Sequence, residues 1–249
     1  GNNTIGDSRE LKKQISYRPQ RFGLKTDLTV QENINFYADL YNVPKKIREQ
    51  KITELLAFSN MEPFRDRQAG KLSGGMKQKL ALACALVHTP KVLLLDEPTN
   101  GVDPLSRRDF WKILYKLLEE GVTIFVSTAY LDEAERCTRV GLLHQGKLII
   151  SGTPDEVKNN MRGVLVEVLC KSPRKVMDVL TSRLKPLSAG LFGAKIHLLL
   201  EGEATDALRS VKDSLRDMAV DAEAAIVLPS LEDVFISMSM PQEGSGSHG

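Results

Sequence analysis

The sequence predicts an α/β protein: a parallel sheet with a helical region ahead of its acidic strand, followed by a small α+β domain. Three observations carry this. The continuous apolar run Val92–Leu95, bounded by Pro90 and an acidic pair, suits a strand buried on both faces of a parallel sheet. Further strand-like runs at Thr123–Ser127 and Val140–Leu143 are separated by helical stretches, and strand–helix–strand–helix–strand order argues a parallel sheet. Beyond Gly152-Thr153-Pro154 the texture changes to shorter alternating strands and helices, read as a separate α+β unit over about 161–238.

Along the chain, the turn-rich Gly1–Asp7 gives way to a short strand, Ile15–Tyr17, and then to Arg18-Pro19-Gln20. From Thr29 to Tyr41, Val30, Ile34, Phe36, Tyr37 and Leu40 recur at helical spacing, with Asp27 or Thr29 as the cap. Pro44 ends that helix or opens the next, which runs over Lys45–Phe58. After Gly74-Gly75, Met76–Val87 reads as an Ala- and Leu-rich helix, so that 28–88 forms a helical subdomain. Ser106–Leu118 and Leu131–Cys137 are the helices after the acidic strand, and Gln145-Gly146-Lys147 marks a hairpin-type turn. In the C-terminal part, Val164–Leu169, Ile196–Leu200 and Ala224–Leu228 read as strands, and Pro173–Leu184 and Ala204–Met218 as helices. Residues 239–249, ending in Gly-Ser repeats, read as a flexible tail.

Composition excludes several classes. With 249 residues, 42% hydrophobic and 27% charged, the chain can bury a sizeable core. A formal net charge of +2, with basic residues scattered and clustered no further than short pairs such as Lys12-Lys13, gives no field for nucleic acid or an anionic surface. Cys84, Cys137 and Cys170 are odd in number and widely spaced, so they fit neither a disulfide framework nor a zinc site. The four histidines show no ligand spacing. A reducing, cytoplasmic compartment follows, and any membrane role must come through a partner, since no apolar run reaches spanning length.

Four short motifs carry chemistry. In Leu72-Ser73-Gly74-Gly75-Met76, a serine and two glycines precede a helix, letting backbone amides approach an anion at a helix N-terminus. Alone, the triplet also fits an ordinary turn and cap. Asp96-Glu97-Pro98 ends the buried strand, where ligands of open α/β sheets bind. An aspartate there can hold Mg²⁺ through its water shell, and the adjacent glutamate can act on an attacking water. Alone, the pair also fits a solvated strand end, but it follows the glycine turn by a single helix. Gly101-Val102-Asp103-Pro104 is a tight turn with proline placed to start a helix. Gln20, an isolated glutamine after a strand, says nothing by itself.

Together and in this order the four motifs resemble those of ATP-binding-cassette (ABC) ATPases: Arg18-Pro19-Gln20 the Q-loop, Leu72–Met76 the signature, Val92–Pro98 the Walker B strand, Gly101–Pro104 the D-loop. Thr123–Glu135 looks like the switch region, so the resemblance covers residues 1 to about 160. It implies a P-loop NTPase-like cassette, binding ATP and Mg²⁺, paired with a second cassette and a membrane permease at the inner face of the membrane, with no nucleic acid. It implies that Glu97 is the catalytic carboxylate and that Asp96 supports Mg²⁺. By the same resemblance Gln20 would contact both metal and water, Ser73, Gly74, Gly75 and Met76 would contact ATP held by the opposing cassette, and Asp103 would communicate across the pair. The region of about 28–70 would dock the membrane subunit. Leu231–Ile236 and Leu131–Cys137 are similar to segments of drug-resistance exporters of the ABC-2 group.

Two departures stand out. No Gly-x-x-x-x-Gly-Lys-Ser/Thr loop occurs, and Gly190–Lys195 has the wrong spacing. The resemblance places that Walker A loop upstream of the Q-loop, so the sequence is expected to begin after it and to be inactive alone. Ala129 stands at the switch-histidine position in Ser127-Thr128-Ala129-Tyr130, where no side chain can donate to a phosphate, which implies a slow or degenerate site. Two alternatives stay open: a non-catalytic partner cassette, and a soluble ABC protein acting on ribosomes or DNA. Long basic or coiled-coil insertions, the mark of the latter, do not appear.

Overall fold

The computed structural model describes residues 11, 14–21 and 23–239. Gly1–Asp7, the Lys12-Lys13 pair and the tail from 240 onward lie outside the described residues. The chain divides into two compact units, residues 1–129 and 130–249.

The first unit runs β1 (Ile15–Arg18), α1 (Val30–Leu40), α2 (Lys45–Phe58), two 3₁₀ turns, α3 (Gly74–Leu86), β2 (Val92–Asp96), α4 (Pro104–Glu119) and β3 (Thr123–Ser127). Of the two candidate caps, Thr29 starts α1. It forms a capping box, its hydroxyl accepting from the Glu32 amide while the Glu32 carboxylate accepts from the Thr29 amide. Asn33, fully buried, exchanges hydrogen bonds with the Lys25 backbone and donates to the Leu28 and Thr29 carbonyls, fixing the loop that leads out of β1.

Helix α3 organises this unit. Leu80 through Leu86 are all buried, so the helix is apolar all round, which only an interior helix tolerates. One side, through Leu80, Ala83 and Cys84, joins Ile34, Ile52, Leu56 and Met61 in the core of the helical layer. The helix also packs on α4 and β1. Burial raises the pKa of the Cys84 thiol, keeping it a small inert hydrophobe.

Strands β1, β2 and β3 form a parallel sheet in that order, with Arg18 opposite Leu95 and Asp96 opposite Ser127. The expectation of a strand buried on both faces needs correction. Leu93 and Leu95 are buried, whereas Val92 and Leu94 are half-buried, and on their face Tyr17 and Phe125 are 54% and 65% exposed.

In the second unit, β4 (Val140–His144) pairs antiparallel with β5 (Lys147–Gly152), so the third strand predicted for the parallel sheet is instead half of a hairpin. The reason is local. Gln145 and Gly146 both take positive φ, 49° and 75°, the combination that lets a two-residue turn match strand twist. The short helix α5 spans only Leu131–Ala134, because Arg136 and Cys137 bond three residues back and tighten the turn.

After α6 (Pro154–Asn159) come β6 (Val164–Cys170), α7 (Pro173–Leu184), β7 (Ser188–Phe192), β8 (Lys195–Leu200), α8 (Ala204–Asp217) and β9 (Ala222–Ile226). The sheet order β7-β8-β6-β9, antiparallel throughout, with this βαββαβ connectivity is the ferredoxin-like, split βαβ arrangement. Both helices cover one face over Val166, Val168, Ile196 and Leu198. Strand β7 escapes sequence detection because Ser-Ala-Gly carries no β-branched signal. Gly190 is needed there, since a Cβ would meet the Phe192 ring at 2.9 Å.

The last helix, α9 (Leu231–Ser239), buries Leu231 and Val234 among Val140, Leu142 and Val157, and so joins the hairpin's core. Asp233 accepts from the Ser230 amide and lies 2.6 Å from His197 Nδ1, while His197 Nε2 lies 3.0 Å from Glu167 Oε2. Lys195 also contacts Glu167, at 3.0 Å.

The His197 hydrogen bond, then Lys195, holds the Glu167 carboxyl below its ordinary value. A depressed folded value means stability that is present above the unfolded value and lost as pH falls through the folded one. In urea titrations between neutral pH and about pH 3, the stability difference between wild type and Glu167→Gln should therefore be largest at neutral pH and shrink below about pH 4.

Candidate functional site

The register of the parallel sheet assembles the site. Arg18 pairs with Leu95, so Gln20 and Glu97, each two residues further on, leave the carboxyl ends of adjacent strands at the same level. Pro19 has no amide to donate and ends the ladder there. Gln20 Nε2 then donates to Glu97 Oε2 at 2.5 Å, across 77 residues of sequence. Asn100 Nδ2 donates to the same oxygen at 2.9 Å.

Asp96, one residue earlier, is opposite Ser127 on β3 and accepts from its hydroxyl at 2.6 Å on Oδ1. The Tyr17 hydroxyl donates to Oδ2 at 3.4 Å. The Glu97 amide donates to the Ser127 carbonyl at 2.9 Å, and Glu97 itself sits at φ 41°, in the left-handed region that non-glycine residues seldom occupy. Strain of this kind persists only where neighbours over-determine it, and it concentrates at functional sites.

Both acids are therefore held by neutral hydroxyls and amides, with no cation within salt-bridge distance among the described residues. Arg18 is fully buried on the opposite face of β1, and its Nε and Nη1 have no partner among the described residues. Burial pushes its guanidinium down to about 10, against the opposing pull of Asp96.

The glycine turn lies elsewhere on the same unit. Ser73 caps α3, its hydroxyl accepting from the Met76 amide at 3.3 Å, while Ser73 and Gly74 are exposed. The amides of Gly74 and Gly75 stand at the orphan-donor end of a 13-residue helix. Gly75 is pressed against α4, where a Cβ would come within 2.5 Å of Ser106. Asp103 caps α4 by accepting from the Ser106 amide at 2.9 Å, and this bond lowers its pKa. Ala129 is exposed just beyond β3.

The structure thus brings Gln20, Asp96 and Glu97 together, and brings Ser73–Met76 against the Gly101–Pro104 turn. Sequence reasoning missed Asn100, Ser127 and Tyr17. Their signal was present only as position: a polar residue three after Glu97, and polar residues at the sheet level of the acids.

The donor set is carboxylate and carboxamide oxygen, suited to a hard divalent cation. Among the described residues no three His, Cys, Asp or Glu side chains converge as a metal cage. A cation here would complete its shell with water and phosphate oxygens, the pattern of Mg²⁺ at nucleotide sites.

The chain is similar to several known proteins. The family model described as ABC transporter matches residues 2–100. YbhF of Escherichia coli K12, named "Probable multidrug ABC transporter ATP-binding protein", is 44% identical over 96% of this chain and 41% of its own length. The chain thus spans about two fifths of that relative. The daunorubicin resistance ATP-binding protein DrrA2 of Streptomyces coeruleorubidus is 32% identical over 93% of this chain and 73% of its own. The Nod factor export ATP-binding protein I of Burkholderia lata is 32% identical over 93% and 74%. Among solved structures, CbiO1 of Clostridium perfringens, part of the cbiONQ transporter complex, superposes with a TM-score of 0.56. It is 28% identical, over 71% of this chain and 66% of its own.

The close approach at Gly75 is directly testable. Gly75→Ala should destabilise the protein by about 1–3 kcal/mol through overpacking, read from urea midpoints at constant slope. Adding Ser106→Gly, which removes both contacting atoms, should recover part of that loss. An unchanged Gly75→Ala midpoint would show that α3 and α4 are not held this closely.

Proposed function

Because this chain belongs to the family of ABC transporter ATP-binding proteins, we propose that it is the ATP-hydrolysing part of an exporter, coupling ATP binding and hydrolysis to transport through a membrane permease. The observation that carries this is the meeting of Gln20, Asp96 and Glu97 at the carboxyl ends of β1 and β2. The names of the relatives, which concern multidrug, daunorubicin and Nod factor export, support the exporter reading.

In this reading residues 1–160 form the cassette and 161–238 an accessory domain. When bound with ATP, Mg²⁺ would neutralise phosphate charge, held by Asp96 through its water shell and by the Gln20 side-chain oxygen. Glu97 acts on the attacking water: Oε2 is taken up by the two amides, which leaves Oε1 to accept the proton. Ser73, Gly74, Gly75 and Met76 offer backbone and hydroxyl donors to the γ-phosphate of a nucleotide on a second cassette, so those donors arrive only when the pair closes. The exposed Asp103 sits beside that turn and would face the partner cassette. Among the described residues no helix is long and apolar enough to cross a membrane. Attachment to the inner face of the membrane would then run through the permease.

A second reading rests on Ala129. A methyl group cannot donate to a phosphate, so this cassette could serve mainly by lending Ser73–Gly75 to a more active partner. Glu97→Gln in the intact transporter separates the two. Hydrolysis from this site should fall by about 10²–10⁴-fold with ATP binding retained, whereas an unchanged rate would mean the carboxylate is idle. Ala129→His should raise the single-turnover rate by about tenfold or more, as an added donor to a developing phosphate charge does. No acceleration would count against Ala129 as the cause of a slow site.

A further inference from the structure

Glu97 and Asn100 are linked at both ends. The Asn100 amide donates to the Glu97 carbonyl at 3.2 Å, closing a four-residue turn, and its Nδ2 donates to Glu97 Oε2 at 2.9 Å. Pro98 occupies the second position of that turn, where its fixed φ favours closure. The turn thus returns Asn100 to the residue whose left-handed backbone, at φ 41°, aims the carboxylate.

Glu97 Oε2 receives a second donor, Gln20 Nε2, from a segment 77 residues away that follows β1 without regular structure. The two donors differ in kind. Gln20 reaches Glu97 only through tertiary packing, whereas Asn100 is tied to it by the turn's own backbone bond. With both amides on Oε2, Oε1 is the carboxylate oxygen without a hydrogen bond among the described residues.

We propose that Asn100 is a positioning residue for hydrolysis: it holds Oε2 of Glu97 so that Oε1 faces the attacking water, and it keeps that orientation when Gln20 is engaged elsewhere. The inference rests on Glu97 being the catalytic carboxylate, as proposed above. Asn100 need not touch nucleotide to play this part. Its loss would lower the rate of the chemical step without weakening the binding of ATP.

The test uses the full transporter carrying this chain, with single-turnover hydrolysis and ATP affinity measured in parallel. Asn100→Ala should slow hydrolysis roughly tenfold while leaving the ATP Kd within about twofold, the size of effect typical for a group that orients a reacting side chain. Asn100→Ser, which keeps a shorter donor, should recover part of the rate. Asn100→Asp, the same size without a donor and with a like charge, should be slower than Asn100→Ala. Wild-type hydrolysis in Asn100→Ala would overturn the proposal, as would equal rates in all three variants or a Kd that weakens in step with the rate. Glu97→Gln is the control that separates the two ideas. If Glu97→Gln hydrolyses normally, the catalytic reading of Glu97 fails. If Glu97→Gln is inactive and Asn100→Ala is not impaired, only the positioning role fails.

Discussion

The first unit depends on one helix having no solvent-facing side along most of its length. From Leu80 to Leu86 every residue of α3 is buried. The helical layer of α1 and α2 closes on it from one direction, and β1 and α4 from others. Thirteen residues at 1.5 Å each carry the chain about 20 Å away from the glycine turn, and β2 then brings it back. That return is why the glycine turn at Ser73–Met76 and the acids Asp96 and Glu97, far apart in the chain, belong to one compact unit. The contact of Gly75 with Ser106 locks the unit at its open end, because only a residue without a Cβ lets the first turns of α3 and α4 approach so closely.

At the acids, the choice of neutral partners has chemical meaning. A carboxylate paired with lysine or arginine has its charge compensated, and it is poor at binding a cation or drawing a proton from water. Asp96 and Glu97 are oriented by hydroxyls and carboxamides, which fix direction without cancelling charge. The cluster in the second unit is built the other way. There Lys195 pairs with Glu167, and His197 bridges Glu167 and Asp233. The first arrangement leaves reactivity available; the second ties the last helix to a sheet. Ionisable residues crowd together in both, so crowding by itself identifies neither.

In the second unit the packing disregards the order of the chain. Residues 164–226 form a ferredoxin-like layer with its own core between the sheet and two helices. The helix that follows does not extend that core. It returns to the hairpin of residues 140–152, which would otherwise leave Val140 and Leu142 in water. Textural change near 160 marks where a new sheet begins, while the two compact units divide at 129/130.

Periodicity and turn chemistry, both local, determined the helices of the first 120 residues, the strand before Asp96, and the C-terminal alternation of strands and helices. Motif order singled out Gln20, Ser73–Met76, Asp96, Glu97 and Asp103, but the fold gathers them in two places, Gln20 with the acids and the glycine turn against Gly101–Pro104. Three things were decided only in the fold. Val140–Leu143 reads as a third strand of the parallel sheet while Gln145-Gly146-Lys147 reads as a hairpin-type turn, and the fold decides between the two: Gln145 and Gly146 take positive φ and the strand pairs in the hairpin. Strand β7 has no propensity of its own and exists because β8 offers an edge and Gly190 gives room to Phe192. Which donors touch which acid was also invisible, since Ser127 and Gln20 reach Asp96 and Glu97 by strand register. A one-residue slip, undetectable in composition, would turn those side chains to the other face of the sheet.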